Sequence, residues 1–328
     1  MDHTMDVLES VRGFMKSRII LTGAELDLFS LIERGFETVE SLAQKTGADH
    51  RALTRLLDAI VTYGLLAKES NSYRLTETGG FLSADHPQSI IPMVMHLNQL
   101  WDNWSRLTGL VKDGKNPRET SPSRKDETTM KAFIGAMHVV ARELSQEIAG
   151  QLDLSSYNRL LDIGGASGTY TIAFLKKNPD LRAVLFDLPP VLPIAKEQIT
   201  EAGLAERVEL VAGDFYHDPF PGGCDLALLS AIIHQNSPAQ NLALYKKIHK
   251  ALMPGGTLLI RDHIMEEDRV HPPAGAIFAI NMLSVTEGGD TYTFGEIRNC
   301  LAEAGFTDIR LIRQGEKMDG ILTAQKSA

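Results

Sequence analysis

An apolar strand that runs directly into an acid and a glycine-rich turn limits the folds open to this chain more than any other stretch. Residues 160–168 have the sequence LLDIGGASG, and the apolar positions from Thr169 onward follow a helical spacing. Small residues in a turn let the backbone approach a ligand closely and adopt dihedral angles that larger side chains resist. The stretch therefore predicts a strand, a turn and a helix, with a nucleotide-like ligand at the turn.

The spacing of the small residues distinguishes between two kinds of cofactor. A dinucleotide-binding turn carries glycines at positions i, i+2 and i+5, and no such triplet occurs here. Instead, Asp162 stands two residues before Gly164, in the pattern Asp-x-Gly-x-Ala-x-Gly. A carboxylate at that place repels a phosphate and attracts a ligand with an ammonium and a sulfonium group. The pattern resembles the first motif of S-adenosylmethionine-dependent methyltransferases, with Ala166 in place of the usual middle glycine.

The segment from residue 157 onward predicts an α/β domain. Apolar strands alternate with amphipathic helices, which indicates a Rossmann-like parallel sheet that is covered on both faces and binds ligands at the carboxyl ends of its strands. The last two strands, 308–313 and 320–326, are predicted to add an antiparallel edge. A length of 328 residues favours more than one domain. We expect a dimerisation domain over 1–100, a helical linker that helps to form a pocket over 101–150, and a cofactor-binding catalytic domain over 151–328.

The N-terminal domain is predicted to be mainly helical. Apolar residues at helical spacing over 7–31 predict a helix, and two capped helices over 38–47 and 49–60 predict a helix-turn-helix. Two short strands at 64–68 and 72–76 complete a winged helix. Such a unit binds DNA in some proteins and serves for dimerisation in others. Arg51 and Arg55 are the only cations of the candidate recognition helix, so dimerisation is the better interpretation.

Charge and cysteine content exclude several classes of protein. The formal net charge of −9 argues against binding to nucleic acid, which requires a basic face. Two cysteines, Cys224 and Cys300, are too few for a disulfide framework and fit a reducing cytoplasm. The first 16 residues lack the continuous apolar core of a signal peptide, and no apolar run is long enough for a membrane span. We therefore expect a cytoplasmic protein that contacts no membrane.

Three acids follow the first three strands of the predicted sheet. Asp162 and Asp187 stand 25 residues apart, which is the separation at which an acid of this topology accepts the ribose hydroxyls. Asp214 follows the third strand and is suited to accept from an adenine amino group, while Phe215 stacks on the ring. Each acid alone is as consistent with a helix cap. Together, at the ends of successive strands, they predict a nucleoside site.

The fourth strand is followed by His234. An imidazole at this edge of the sheet lies on the side to which a methyl donor points, and its ordinary pKa range suits removal of a proton from a phenol or an enol. Methyl transfer from a sulfonium requires little more than alignment of the acceptor and removal of its proton. We therefore interpret His234 as a general base.

Over nearly its whole length the chain resembles the winged-helix, class II type of small-molecule O-methyltransferase, which includes caffeate, flavonoid and hydroxyindole enzymes. The resemblance rests on the turn at 160–168, FDLP at 186–189, GDF at 213–215, His234, MPGG at 253–256 and YTF at 292–294. It implies S-adenosylmethionine as cofactor, S-adenosylhomocysteine as product, His234 as base and a homodimer. The predicted cofactor-binding residues are Asp162, Gly164, Gly165, Gly168, Asp187, Leu188, Gly213, Asp214, Phe215 and Ser230.

The surroundings of His234 depart from this family. An acid and a tryptophan follow the histidine in many of these enzymes, whereas Gln235 and Asn236 do so here. A second flanking acid of the plant enzymes falls at Asp262, which is a candidate to orient the imidazole, and a third falls at Tyr292. Some enzymes on this scaffold bind the cofactor and catalyse decarboxylation or hydroxylation. That activity remains an alternative to methyl transfer, and a DNA-binding regulator remains another.

The acceptor site is predicted from the apolar helices. Residues 87–110 are apolar on most sides of a helix, which suits core, a dimer interface or a pocket wall, and 112–128 form a polar loop. We expect Trp101, Met137, Asn281 and Met282 to line a pocket for a small aromatic or polyketide-like hydroxyl compound. The histidines lack the spacing of metal ligands, so no metal is expected.

Overall fold

The structure is a computed structural model and describes residues 3–116 and 127–328. These residues form two compact units that are divided between residues 100 and 101, inside one helix. Part of the predicted linker and of the predicted polar loop, residues 117–126, lies outside the described residues.

The first unit is helical apart from one hairpin. Its elements are α1 His3–Glu25, α2 Leu28–Glu33, α3 Val39–Thr46, α4 His50–Thr62, β1 Leu66–Glu69, β2 Ser72–Leu75, α5 Glu77–Gly80 and α6 Ile91–Ser105, which continues into the second unit. The single helix predicted over 7–31 is interrupted, because Asp27 has a φ angle of 55° that a right-handed helix does not allow.

The predicted helix-turn-helix and hairpin are present. The Thr38 hydroxyl accepts the N–H of Ser41 at the start of α3, and Asp49 accepts the N–H of Ala52 at the start of α4. Gly47 ends α3 in the left-handed conformation. The buried face of α4 consists of Leu53, Leu57 and Ile60. β1 and β2 pair in the antiparallel sense.

The second unit is a three-layer α/β domain, as predicted. Its elements are α7 Leu107–Asp113, α8 Glu127–Gln151, β3 Arg159–Ile163, α9 Thr169–Lys177, β4 Arg182–Asp187, α10 Leu192–Glu201, β5 Val208–Ala212, β6 Cys224–Ser230, α11 Pro238–Ala251, β7 Leu252–Asp262, β8 Ile264–Met265, α12 Pro273–Val285, β9 Tyr292–Thr293, α13 Phe294–Glu303, β10 Phe306–Arg313 and β11 Gly320–Lys326. The central sheet has the order β10-β11-β7-β6-β3-β4-β5.

The topology determines where a ligand can bind. β3, β4 and β5 run outward in one direction, and the chain then returns to place β6 on the other side of β3, parallel to it. β11 pairs with β7 and β10 in the antiparallel sense, as predicted for the closing strands. The order of the strands thus reverses between β3 and β6. Open sheets bind ligands outside the carboxyl ends of the strands at such a point.

Two apolar layers cover the sheet. One contains Phe186, Leu229, Tyr245 and Ile248, and the other contains Leu160, Phe174, Leu185 and Ile199. Both layers are closed to water. The polar residues at the carboxyl ends of the strands therefore border an apolar core. Among the described residues, no helix combines the length and the apolar character that a membrane crossing requires.

Candidate active site

The turn after β3 has the dihedral angles that its small residues allow. Gly164, Ala166 and Gly168 have positive φ angles of 67°, 50° and 76°. A side chain at Gly164 is disfavoured, because its φ of 67° strains other residues and a Cβ atom there would lie 2.9 Å from Cδ1 of Ile232. The backbone of this turn is therefore open to close approach by a ligand.

Asp187 connects two of the turns at the edge of the sheet. Its Oδ2 accepts the N–H of Ala166 at 2.8 Å, and its Oδ1 accepts the N–H of Leu188 at 2.7 Å. Its backbone oxygen accepts the N–H of Gly213 at 2.9 Å. Burial raises the pKa of the Asp187 carboxyl, and the two N–H donors lower it in part. These hydrogen bonds thus join Asp187, Leu188 and Gly213, which are three of the predicted cofactor-binding residues.

Asp162 lies inside the protein, beneath the glycine turn. It is 2% exposed, and its carboxyl group accepts a hydrogen bond from Oγ1 of Thr171 at 2.6 Å. A Cβ atom at Gly165 would lie 3.0 Å from Cγ of Asp162, so the turn folds directly over the carboxyl group. Burial raises the pKa of Asp162 to about 6, with an opposing contribution from the Thr171 hydroxyl and a further rise from the Asp187 charge.

The turn after β5 contributes Gly213, Asp214 and Phe215. A Cβ atom at Gly213 would lie 2.3 Å from a ring carbon of the phenylalanine that ends β4, so this position also requires glycine. Oδ1 of Asp214 accepts the N–H of Tyr216 at 2.8 Å, and its side chain is 36% exposed. The ring of Phe215 borders the glycine turn, 3.6 Å from the place of a Cβ atom at Gly164.

His234 lies in a short 3-10 turn, Ile233–Gln235, directly after β6. Its Nδ1 is 2.8 Å and 3.0 Å from the two carboxylate oxygens of Asp262, the last residue of β7. The His234 side chain is 12% exposed, and the Asp262 side chain is fully buried. Because β6 and β7 are adjacent and parallel, their carboxyl ends bring these two residues together.

Asp262 determines which nitrogen of His234 carries a proton. Burial raises the pKa of the Asp262 carboxyl, but the charge and hydrogen bond of His234 and the N–H of His263 hold that pKa below its ordinary value. An ionised carboxylate can only accept, so Nδ1 of His234 donates to it. Nε2 is then the basic nitrogen, with its lone pair directed away from Asp262.

Buried hydrogen bonds hold the segment that carries His234. Asn236 is fully buried, and its Oδ1 accepts from the hydroxyl of Tyr216 at 2.5 Å. Its Nδ2 donates to Asn241, which in turn donates to the backbone oxygen of Ile233, both at 2.9 Å. The turn after β5 and the turn after β6 are therefore joined through one polar network.

Gln235 and Tyr292, which stand where related enzymes carry acids, do not orient the imidazole. The Tyr292 hydroxyl donates to the backbone oxygen of Asn236. Among the described residues no hydrogen bond joins either side chain to the ring of His234. Asp262 is the acid in contact with His234.

Helix α12 lies against His234. The ring of Phe278 meets the imidazole edge to face, with 4.9 Å between the centroids. Asn281 and Met282 follow three and four residues later and share that side of the helix. Oδ1 of Asn281 accepts from Nε1 of Trp104 at 3.1 Å, and Met282 is buried. Two predicted acceptor-site residues thus lie on the face of α12 that contacts His234.

The other two predicted acceptor-site residues lie on separate helices. Trp101 is on α6, one turn before Trp104. Met137 is half-buried on α8, beside His138, whose Nδ1 is 2.9 Å from Oγ1 of Thr169 at the start of α9. Met137 is thus on the part of α8 that meets the glycine turn and its helix. A role for these four side chains in acceptor binding stays a prediction.

Two buried basic residues beside Asp262 were not predicted from the sequence. Arg261 donates from Nε to the hydroxyl of Tyr170 at 2.8 Å, while its Nη1 has no partner among the described residues. Nδ1 of His263 also has none there, and the ring lies 4.8 Å from that of Phe278. Burial lowers the pKa of His263 to about 4. Consecutive charged residues directly after an apolar strand were the signal available in the sequence.

One exposed group in the described part of the chain has metal-ligand chemistry. The nearest side-chain ligand atoms of Glu266, Asp268 and His271 lie within 4.8 Å of one another. Nδ1 of His271 is 2.6 Å from Oδ2 of Asp268, and this contact raises the pKa of His271. The exposed ion pair between Asp268 and His271 is sufficient to explain why these side chains lie together.

The edge formed by β3, β4 and β5 fits a nucleoside with a cationic tail. At Gly164 and Gly213 a Cβ atom would come within 3.0 Å of a neighbouring side chain, Asp187 and Asp214 offer carboxylate oxygens, and Phe215 offers a ring beside the turn. His234 lies at the neighbouring strand end, across the reversal in strand order. The fold and the site together are those of a protein that binds S-adenosylmethionine.

Comparison with known proteins identifies the family. An O-methyltransferase domain model matches residues 104–307, and an O-methyltransferase dimerisation domain model matches residues 8–85. The chain is 31% identical to the tetracenomycin polyketide synthesis 8-O-methyl transferase TcmO of Streptomyces glaucescens, over 93% of this chain and 92% of that protein. It is 29% identical to the 3-hydroxy-5-methyl-1-naphthoate 3-O-methyltransferase of Streptomyces sahachiroi, over 92% and 89% of the two chains.

A solved structure supports the same assignment. Human N-acetylserotonin methyltransferase in complex with S-adenosylmethionine superposes with a TM-score of 0.86 at 25% identity, over 100% of this chain and 99% of that chain. The chain belongs to the O-methyltransferase family and is an S-adenosylmethionine-dependent enzyme. The predicted class, fold, enzyme type and cofactor are confirmed, whereas the two alternatives, a relative without methyl transfer and a DNA-binding regulator, receive no support.

Proposed function

We propose that this O-methyltransferase methylates a phenolic or enolic hydroxyl of a small, flat, polyketide-like acceptor, with His234 as the general base. Two relatives support the acceptor class, since their names specify a polyketide and a hydroxynaphthoate. The side chains near His234 support it as well, because Phe278 and Met282 are apolar and Trp104 is aromatic. Flat aromatic molecules bind well between such side chains.

The hydrogen bond between His234 and Asp262 carries this proposal. It keeps the proton on Nδ1 and leaves Nε2 to accept the proton of the acceptor hydroxyl. S-adenosylmethionine, when bound, supplies a methyl group on a sulfonium, which passes to the acceptor oxygen and leaves S-adenosylhomocysteine. The Asp262 carboxylate stabilises the imidazolium that forms on His234, and the imidazolium then returns its proton to water.

The remaining roles follow from position on the sheet edge. Asp187 and Asp214 are assigned to the ribose and the adenine, and Phe215 is assigned to stacking. The complete set assigned to the cofactor is Asp162, Gly164, Gly165, Gly168, Asp187, Leu188, Gly213, Asp214, Phe215 and Ser230. Trp101, Met137, Asn281 and Met282 are assigned to the acceptor, with Asn281 as the polar group among them.

Methyl transfer to a phenol tests the proposal directly. With S-adenosylmethionine, we expect the enzyme to convert 3-hydroxy-5-methyl-1-naphthoate or N-acetylserotonin to a product heavier by one methylene, with one S-adenosylhomocysteine per product, as measured by mass spectrometry. The 3-methoxy form of the naphthoate is the matched control and should give no product. Methylation of that control, or of the carboxylate rather than the hydroxyl, would contradict the assigned acceptor group.

We further propose that the enzyme is a cytoplasmic homodimer whose winged-helix unit serves for dimerisation rather than for binding DNA. The dimerisation domain model over 8–85 supports this, and so does an apolar stripe on α1. The exposed apolar residues of α1 are Met5, Val7, Leu8, Val11, Phe14 and Met15. Exposed apolar surface of this extent is typical of a protein–protein interface. The free thiols of Cys224 and Cys300 support a reducing compartment.

Charges on α1 should separate the subunits. Val11 and Phe14 are 64% and 54% exposed in the single chain, so glutamates at both positions place two charges within the interface without disturbing the fold. We expect the wild type to sediment at about twice the chain mass of 36.0 kDa and Val11→Glu/Phe14→Glu at the chain mass. Arg12→Glu, one residue away, is the control. A variant that remains dimeric would place the interface elsewhere.

A further inference from the structure

Arg261 is a buried cation that no carboxylate of the described residues neutralises through an ion pair. It is 3% exposed. Its Nε donates to the hydroxyl of Tyr170 at 2.8 Å, and the guanidinium carbon lies 5.0 Å from the centroid of the same ring. Its Nη1 is buried and has no hydrogen-bond partner in the part of the chain that the structure describes. A buried charge without a counterion is strongly unfavourable. The arrangement therefore calls for an anion.

The nearby carboxylates are engaged with other groups. Asp162 accepts from the Thr171 hydroxyl, and Asp262 accepts from His234 and from the N–H of the following residue. The charge of Arg261 contributes to the lowered pKa of Asp262, but the two side chains leave the strand on opposite faces. Neither carboxylate is the counterion of the guanidinium.

The position of Arg261 identifies the side of the active site that it serves. Its contact residue, Tyr170, is the second residue of α9, directly after the glycine turn. In the sheet Arg261 pairs with Ser230, the last residue of β6. Arg261 therefore faces the layer that contains the glycine turn and α9, whereas Asp262 faces the layer that contains His234. An anion at Arg261 belongs to the cofactor side of the site rather than to the acceptor side.

We propose that Arg261 binds the carboxylate of the methionine part of the cofactor. This inference rests on the proposed function of the glycine turn as a cofactor site. The hydrogen bond to Tyr170 and the ring beneath the guanidinium hold the side chain in place, and the unpartnered Nη1 is the donor that remains for the ligand. Because the guanidinium is removed from water, its bond to a carboxylate is strong. Arg261 thus selects a cofactor with an intact amino-acid end.

Two ligands that differ in a single group test this assignment. S-adenosylhomocysteine carries the carboxylate, and its decarboxylated form, S-adenosyl-3-thiopropylamine, keeps the adenosine, the thioether and the amine. By isothermal titration we expect the wild type to bind S-adenosylhomocysteine at least about 30-fold more tightly than the decarboxylated form. In Arg261→Met the preference should fall to about threefold or less, through weaker binding of S-adenosylhomocysteine alone. Arg261→Lys, which keeps the charge, should restore part of the preference.

The control variant is Arg159→Met, which removes an arginine at the opposite end of β3 and should leave the preference unchanged. An unchanged preference in Arg261→Met would overturn the proposal. An equal loss of affinity for both ligands would also overturn it, because Arg261 would then have a structural role. If Arg261→Met does not fold, Arg261→Gln takes its place with the same deciding outcomes. A wild type that binds neither ligand would instead contradict the cofactor site itself. If Arg261 binds a carboxylate of the acceptor rather than of the cofactor, the wild type should bind the two ligands equally tightly, and that result would also overturn the proposal.

Discussion

Asp262→Asn is expected to lower kcat for methyl transfer by about 1,000-fold while the enzyme still folds and binds S-adenosylhomocysteine. Oδ1 of Asp262 accepts the N–H of His263 at 2.8 Å, and only an oxygen can satisfy that donor. The asparagine oxygen must therefore occupy this place, which is also the oxygen position nearer to Nδ1 of His234, at 2.8 Å. Nδ1 can still donate to that oxygen, so the tautomer is kept. The amide is uncharged, however, and no longer stabilises the imidazolium that forms when Nε2 accepts the proton of the acceptor.

The tautomer can be measured without an acceptor. In the wild type, 15N NMR of the imidazole should place the proton of neutral His234 on Nδ1, and Asp262→Asn, which keeps an oxygen 2.8 Å from Nδ1, should leave the proton there. His234→Ala should lower kcat by at least as much, and the double variant should be no slower than His234→Ala, because Asp262 acts on the rate through the imidazole. Additive losses would show that Asp262 acts independently of His234.

The fold could be predicted because the pattern of apolar residues fixes most of it. Strand and helix periods alternate from β3 onward, and the glycine turn locates the first strand of the sheet. The interruption between α1 and α2 escaped prediction, since the left-handed conformation of Asp27 leaves no signal in an apolar spacing. β7 begins at Leu252, earlier than the strand of 256–260 that the apolar pattern predicts, and residues 253–256 form an irregularity between the pairs Leu252–Cys224 and Thr257–Leu226. The left-handed conformation of Gly255 shows that the turn at Pro254 and Gly255 is kept within the strand.

The candidate site was predictable where chemistry coincides with the end of a strand. Asp187, His234 and Asp262 each follow an apolar strand, and parallel pairing brings strand ends together. Contacts between distant segments were not predictable in this way. Phe278 meets His234 from α12, and Tyr216 meets Asn236 from another turn, so only the packed structure identifies them. The sequence placed Asp162 at the end of the first strand of the sheet as an acid suited to a cationic ligand, and its burial beneath the turn became evident only from the packing.

Burial of Asp162 has a cost in stability, and we propose that the cost is retained for cofactor binding. The folded protein holds the proton of Asp162 up to about pH 6, compared with an ordinary pKa of 3.8 in the unfolded chain. The stability that the neutral group contributes is fully present below pH 3.8 and is lost as the pH rises to about 6. Above that pH the loss amounts to roughly 3 kcal/mol. A bound cofactor with an ammonium group offsets part of this loss through its charge.

Asp162→Asn should therefore stabilise the protein and weaken its binding of the cofactor. The asparagine oxygen can still accept from Thr171, and the variant avoids the buried charge. By calorimetry at pH 8 we expect a higher Tm than the wild type, equivalent to about 1–3 kcal/mol, and at pH 4 no gain.

By titration at pH 8 we expect S-adenosylhomocysteine to bind about 10-fold more weakly, because the carboxylate opposite its ammonium is lost. Asp180→Asn, at an exposed position, is the control for both measurements. A variant that is less stable at pH 8 would refute the stability cost, and unchanged affinity would show that Asp162 does not act on the cofactor's charge.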